Sequence, residues 1–144
     1  MLSGGPNLLL VLDSNEYIFS LGTFRKHSCE VLLDKIVSSF PKYGVCIPRL
    51  ITEEVKRNLS PLAFKEFMDL VDTIADIDEN FLVPFELGAQ YEDRGLKPAD
   101  AFIGAYTEWA GAAILVSENR HFLSRHKDLP FKILNAESCL KLLY

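Results

Sequence analysis

Apolar and polar positions fall into blocks along this chain, and the block lengths separate strands from helices. Four short apolar runs at 8–12, 45–47, 113–116 and 131–134 read as buried strands, because each is too short for a helix and rich in branched side chains. The stretches between them read as helix. Between residues 24 and 40, Cys29, Leu32, Leu33, Ile36 and Phe40 recur at helical spacing until Pro41 and Gly44 break it. A second helix leaves the strand at 45–47 at once. Ser60-Pro61 provides an N-cap and a proline at the first helical position for a helix with Phe64, Phe67, Met68, Val71 and Ile74 in one stripe. That stripe reads as core, not as a ligand site. Arg94-Gly95 ends another helix, and Pro98 opens the next, with Ala99, Phe102, Ile103, Tyr106 and Ala110 on one face. Asn135 is placed to cap the last.

Strands alternating with helices predict an α/β fold with a parallel sheet covered on both faces and right-handed crossovers. With 144 residues, the chain fits a single domain spanning 1–144, and a domain of this size buries about 70% of its extended surface. Residues 1–6 read as a loose terminus outside the fold. A hydrophobic share of 49% with 24% charged residues is globular composition, far from that of disordered chains. No apolar run is long enough to cross a bilayer, and no basic start marks a signal peptide, so a soluble cytoplasmic protein is expected. Three cysteines (Cys29, Cys46 and Cys139), odd in number and each set in an apolar pattern, read as buried thiols and not as disulfides. The net charge of −5 argues against a broad basic surface for nucleic acid, unless several acids gather around a metal that reverses the local charge.

Sites on open α/β sheets form beyond the carboxyl ends of the strands, which makes the position of each acid informative. Asp13 directly follows the first strand. Glu54 lies in the helix that leaves the second strand, and Asp100 opens the helix that runs back before the third, so both stay near the same edge. Glu118 and Asn119 directly follow the third strand. Clustered carboxylates raise one another's pKa, a cost that a hard divalent ion removes, and oxygen donors suit Mg²⁺ or Mn²⁺ better than zinc. Such an ion polarises a phosphodiester and activates water. Each acid also has a plainer reading: Asp13 as a helix cap, Asp100 as a favourable charge at a helix N-terminus, Glu53 and Glu54 as solvated residues, and Ser117-Glu118-Asn119 as a turn. The agreement of four separate segments on one edge favours the metal site.

In this order the segments resemble the PIN-domain family, in particular its small VapC-type toxin ribonucleases. The resemblance spans nearly the whole chain. It rests on the strand ending in Asp13-Ser14-Asn15, on Ile47-Pro48-Arg49-Leu50-Ile51-Thr52-Glu53-Glu54-Val55, and on Asp100-Ala101-Phe102-Ile103-Gly104-Ala105. After the run Gly111 to Ser117, Ser117-Glu118-Asn119-Arg120-His121-Phe122 is similar to the family's Thr-x-Asp-x-x-Phe ending. The resemblance implies a three-layer fold, a central parallel sheet of four or five strands flanked by helices. It also implies hydrolysis of RNA, with Asp13 and Asp100 holding Mg²⁺ or Mn²⁺ and Glu54 positioning water. Asn119 falls where many members carry a fourth acid, and Glu118 lies beside it. Ser117 and Asn15 would support the ligands, and Arg49, Lys56, Arg120 and Arg125 are candidates for RNA phosphate contacts, with a solvated surface role as the alternative for each. An antitoxin protein and a second copy of the chain are the implied partners.

Other chemistries fit less well. The chain has no Gly-x-Gly-x-x-Gly and no P-loop lysine, and Asp13-Ser14-Asn15 lacks the second aspartate of the haloacid dehalogenase phosphatases. The competing class is a PIN-like RNA- or protein-binding module with a weakened or inactive metal site, for which Asn119 is the main support. His121 and His126 read as surface or packing residues, and Trp109 as core or a dimer interface.

Overall fold

The computed structural model describes residues 8–119, 122 and 128–143. Five strands, β1 (Leu8–Leu12), β2 (Tyr43–Pro48), β3 (Ile77–Asp78), β4 (Ile114–Val116) and β5 (Lys132–Leu134), form one sheet in the order β3-β2-β1-β4-β5. Every neighbouring pair is parallel. Leu10, Val11 and Leu12 are consecutive and all fully buried. Because successive side chains in a strand point to opposite faces, that run requires both faces of the sheet to be covered. Seven α-helices among the described residues do so: α1 (Ser14–Leu21), α2 (His27–Ser38), α3 (Arg49–Asn58), α4 (Pro61–Ile74), α5 (Phe85–Asp93), α6 (Pro98–Trp109) and α7 (Ala136–Leu142). The result is the three-layer α/β arrangement.

Local chemistry sets the helix ends. Ser60 Oγ accepts from the Ala63 amide at 3.2 Å with Pro61 at the first helical position, and Asn135 Oδ1 accepts from the Ser138 amide at 2.8 Å. After α5, Gly95 adopts φ +93°, a left-handed conformation that suits glycine and stops the helix before Pro98 starts α6. The fifth strand, β3, escapes the periodicity because it has only two residues, paired with Ile47 and Pro48. What defines it is tertiary: Tyr106 on α6 donates its hydroxyl to Asp78 Oδ2 at 2.6 Å.

The stripe on α4 is core. Phe67 is fully buried and meets Tyr17 of α1 edge-to-face, ring centroids 5.0 Å apart. Helices α5 and α6 approach closely at Gly104, where an added Cβ would lie 2.7 Å from Tyr91 Cδ1. All three cysteines are free thiols; Cys29 and Cys139 are buried and Cys46 is half-buried. Trp109 is partly exposed and packs against Tyr106 at 5.9 Å. No helix among the described residues is long and apolar enough to cross a membrane. Residues 1–6, Arg120, His121, Arg125 and His126 lie outside the described residues.

Candidate metal centre at the carboxyl edge of the sheet

Asp13 is carried to the sheet edge by β1, and its own amide continues the ladder by donating to the Val116 carbonyl at 2.9 Å. Asp13 as a whole is only 6% exposed. Oδ1 accepts from the Ser14 amide at 2.8 Å, and Oδ2 accepts from the Ser117 hydroxyl at 2.8 Å. Asp13 is therefore the N-cap of α1 and a wall of the site at once, one oxygen serving each. Ser117, fully buried after β4, in turn accepts from the Asn119 amide at 3.1 Å. Burial raises the Asp13 carboxyl above its ordinary value; the bonds from Ser117 and Ser14 oppose this, and the charges of Asp100 and Glu118 add to it.

On α3 the choice between two adjacent glutamates is made by helix geometry. Glu53 is exposed, whereas Glu54 is turned inward and half-buried. Glu54 Oε1 is shielded from solvent and accepts no hydrogen bond. Its carboxyl is raised, first by burial and then by the charge of Asp13, with Arg57 opposing and Asp100 adding. Asp100 stands in the first turn of α6, where Asn119 Nδ2 donates to its Oδ2 over a long 3.4 Å. Asp13, Asn15, Glu54, Asn58, Asp100 and Asn119 all line one cavity of about 560 Å³, with Ile18, Phe19 and Ile103 as its apolar part.

Glu118 is not among those lining residues. Its carboxylate takes the ammonium of Lys26 at 2.6 Å and the amide of Ala136 at 2.9 Å. Arg49 is held by Glu79 at 2.7 Å, and the Lys56 ammonium sits 5.9 Å from the centre of the Phe64 ring, so neither lines the cavity. Two residues that the sequence reading passed over do belong here. Asn58 lies four positions after Glu54 and bonds its carbonyl at 2.8 Å, while Arg57, three positions after it, supplies the opposing positive charge. The signal was present in the i+3 and i+4 spacing, since such residues share a helix face.

The donor set is oxygen and amide only, which fits a hard divalent cation. A buried aspartate, a glutamate oxygen with no donor and a third acid on the same wall are anionic groups that the protein's own hydrogen bonds leave partly uncompensated. The three acids line an open cavity; among the described residues, the tight group with three possible ligand atoms within 4.8 Å is Glu16, Cys29 and Glu118. Wide spacing suits Mg²⁺, which keeps several of its waters and takes only one or two carboxylates directly.

No family model matches the chain, and none of the curated proteins matches it. Solved structures do. A chain of VapBC2 from Rickettsia felis, bound to a DNA fragment from the promoter, superposes with a TM-score of 0.60 at 15% identity, covering 89% of this chain and 98% of that one. A chain of FitAcB from Neisseria gonorrhoeae superposes with a TM-score of 0.57 at 13% identity, again covering 89% and 98%. At such identities the likeness is one of architecture. This chain has the PIN-like α/β fold, a five-stranded all-parallel sheet between helices, that it shares with these two structures.

Proposed function

We propose that this chain is a divalent-metal-dependent endoribonuclease that hydrolyses RNA phosphodiester bonds and acts as the toxin of a toxin–antitoxin pair in the cytoplasm. The observation that carries the reading is the convergence of Asp13, Glu54 and Asp100 from three separate segments on one cavity, where Glu54 Oε1 has no donor. Asp13 and Asp100 would hold Mg²⁺ or Mn²⁺, with Asn119 offering its amide oxygen. The ion would supply Lewis-acid stabilisation of the phosphate charge and acidify a water molecule.

The remaining work falls to the chain itself. Ser117 keeps Asp13 Oδ2 oriented, as supporting hydrogen bonds do for metal ligands elsewhere. Glu54, raised by burial and by Asp13, lines the cavity and would accept a proton from the attacking water through its carboxylate as the leaving oxygen departs in line. Asn15 and Asn58 present amides to the non-bridging phosphate oxygens, and Ile18, Phe19 and Ile103 offer an apolar surface to the ribose or base. Arg57 reduces the negative field that an incoming phosphate meets. An antitoxin protein, by analogy with the VapBC2 and FitAcB structures, is one proposed partner, and a second copy of the chain is the other.

The test is cleavage of single-stranded RNA with Mn²⁺ or Mg²⁺, comparing the wild type with Asp13→Asn. Metal-dependent cleavage that Asp13→Asn abolishes supports the proposal. A second reading, a PIN-like binding module, is favoured by one contact, the Asn119 amide donating to Asp100 where a fourth acid would add charge. RNA left intact by the metal-replete wild type, together with RNA binding unchanged in Asp13→Asn, would put that reading in its place.

A further inference from the structure

Apart from the residues that line the cavity, a second polar group is enclosed in the core. Glu16 of α1 is 2% exposed, and beyond the neighbouring Glu118 carboxyl and Cys29 thiol nothing offers its oxygens a hydrogen bond. Placing an ionised acid there with no cation or amide beside it opposes folding strongly. Beside it are the buried thiol of Cys29 on α2 and the carboxylate of Glu118, and one ligand atom from each lies within 4.8 Å of the others. Two donors hold Glu118 in place, the Lys26 ammonium at 2.6 Å and the Ala136 amide at 2.9 Å.

We propose that Glu16, Cys29 and Glu118 form a second metal site, distinct from the Asp13 cavity, that takes one Zn²⁺ ion. The chemistry of the donors selects the ion. A thiolate beside carboxylates is a borderline-soft set that suits zinc and is a poor match for Mg²⁺ or Mn²⁺. Charge balances as well: with Lys26 beside them, three anionic ligands leave two net negative charges, which one divalent ion cancels.

A shared proton is the metal-free alternative. One proton between Glu16 and Glu118 satisfies a single Glu16 oxygen and leaves the second to the weak S–H donor of Cys29, whereas an ion serves all three groups. The Glu118 and Lys26 pair also meets the requirements for a supported ligand and an entry path. Lys26 is half exposed and covers a Glu118 side chain that is 6% exposed, so displacement of one lysine opens the way in. An ion here would fasten the turn after β4, which carries Ser117 and Asn119, to α1 and α2.

Cobalt substitution tests this directly. Metal-stripped full-length protein is titrated with Co²⁺, whose bond to a thiolate gives a near-ultraviolet charge-transfer absorption that oxygen ligands do not. One equivalent should produce the band in the wild type and in Asp13→Asn alike, Zn²⁺ should displace it, and Cys29→Ser should lack it. Glu16→Gln should weaken Co²⁺ binding at least about tenfold while far-ultraviolet circular dichroism shows a native fold. Cys139→Ser, which removes the buried thiol of α7, should keep the band. Absence of the band at saturating Co²⁺ in the wild type, its persistence in Cys29→Ser, or its loss in Cys139→Ser alone overturns the assignment. Since Asp13→Asn retains this site, its outcome is independent of RNA cleavage.

Discussion

Ser117→Ala probes the link between fold and site more sharply than removal of any acid. The Ser117 hydroxyl donates to Asp13 Oδ2 at 2.8 Å and accepts from the Asn119 amide at 3.1 Å, in a residue with no exposure. Alanine removes both bonds and leaves a buried carboxylate oxygen without its donor. A hydrogen bond to a charged group and a stranded amide together are worth about 2–4 kcal/mol. For a domain of this size that corresponds to a melting temperature lower by about 10 °C. Loss of the supporting hydroxyl should also reduce metal-dependent RNA cleavage about 10- to 100-fold. Because the Ser117 bond lowers the Asp13 pKa against burial, its loss should move the acid limb of the pH–rate profile to higher pH. Ser117→Thr keeps the hydroxyl and should restore stability and rate together. Thermal melts and initial rates across pH measure both. If Ser117→Ala melts and cleaves like the wild type, Asp13 is not held by this bond and the account of the site is wrong.

Asp13→Asn should reverse its effect on stability with pH and metal. A carboxyl whose folded-state pKa is raised stabilises fully below its unfolded value and loses that contribution as pH rises, so metal-free wild type should be less stable than Asp13→Asn at pH 7 and level with it near pH 4. Melts in chelator across that range, repeated with Mn²⁺ to reverse the order at pH 7, check the sign. Asn119→Asp replaces a donor to Asp100 with a like charge, and should tighten Mn²⁺ binding in calorimetry while lowering the metal-free melting temperature. Gly104→Ala drives a methyl to within 2.7 Å of the Tyr91 ring and should cost about 1–3 kcal/mol in denaturant unfolding, with Mn²⁺ affinity unchanged.

How far the sequence reached differs between elements. Leu8–Leu12 and the α4 stripe announce themselves because burial on one or two faces imposes a period on consecutive residues. Caps at Ser60 and Asn135 are equally local, each a side chain bonding an amide three residues on. Strand β3 is not local: two residues carry no period, and its place follows from pairing with β2 and from Tyr106 on a distant helix.

The α/β alternation and the delivery of Asp13, Glu54 and Asp100 to one edge are legible along the chain, since a parallel sheet brings every strand end to the same side. The sequence could not decide which way neighbouring side chains turn there. Glu53 and Glu54 are equivalent in composition, and only the roll of α3 against the sheet buries one and exposes the other. Glu118 and Asn119 part in the same way, the asparagine facing Asp100 and the glutamate drawn back to Lys26 and the start of α7. Glu16, which a linear reading passes over as one more acid in a helix, is enclosed by α2 and the turn after β4, elements far from it along the chain. Tertiary packing decided these because a carboxylate's partners are whatever the fold brings within about 3 Å, a distance no sequence separation encodes.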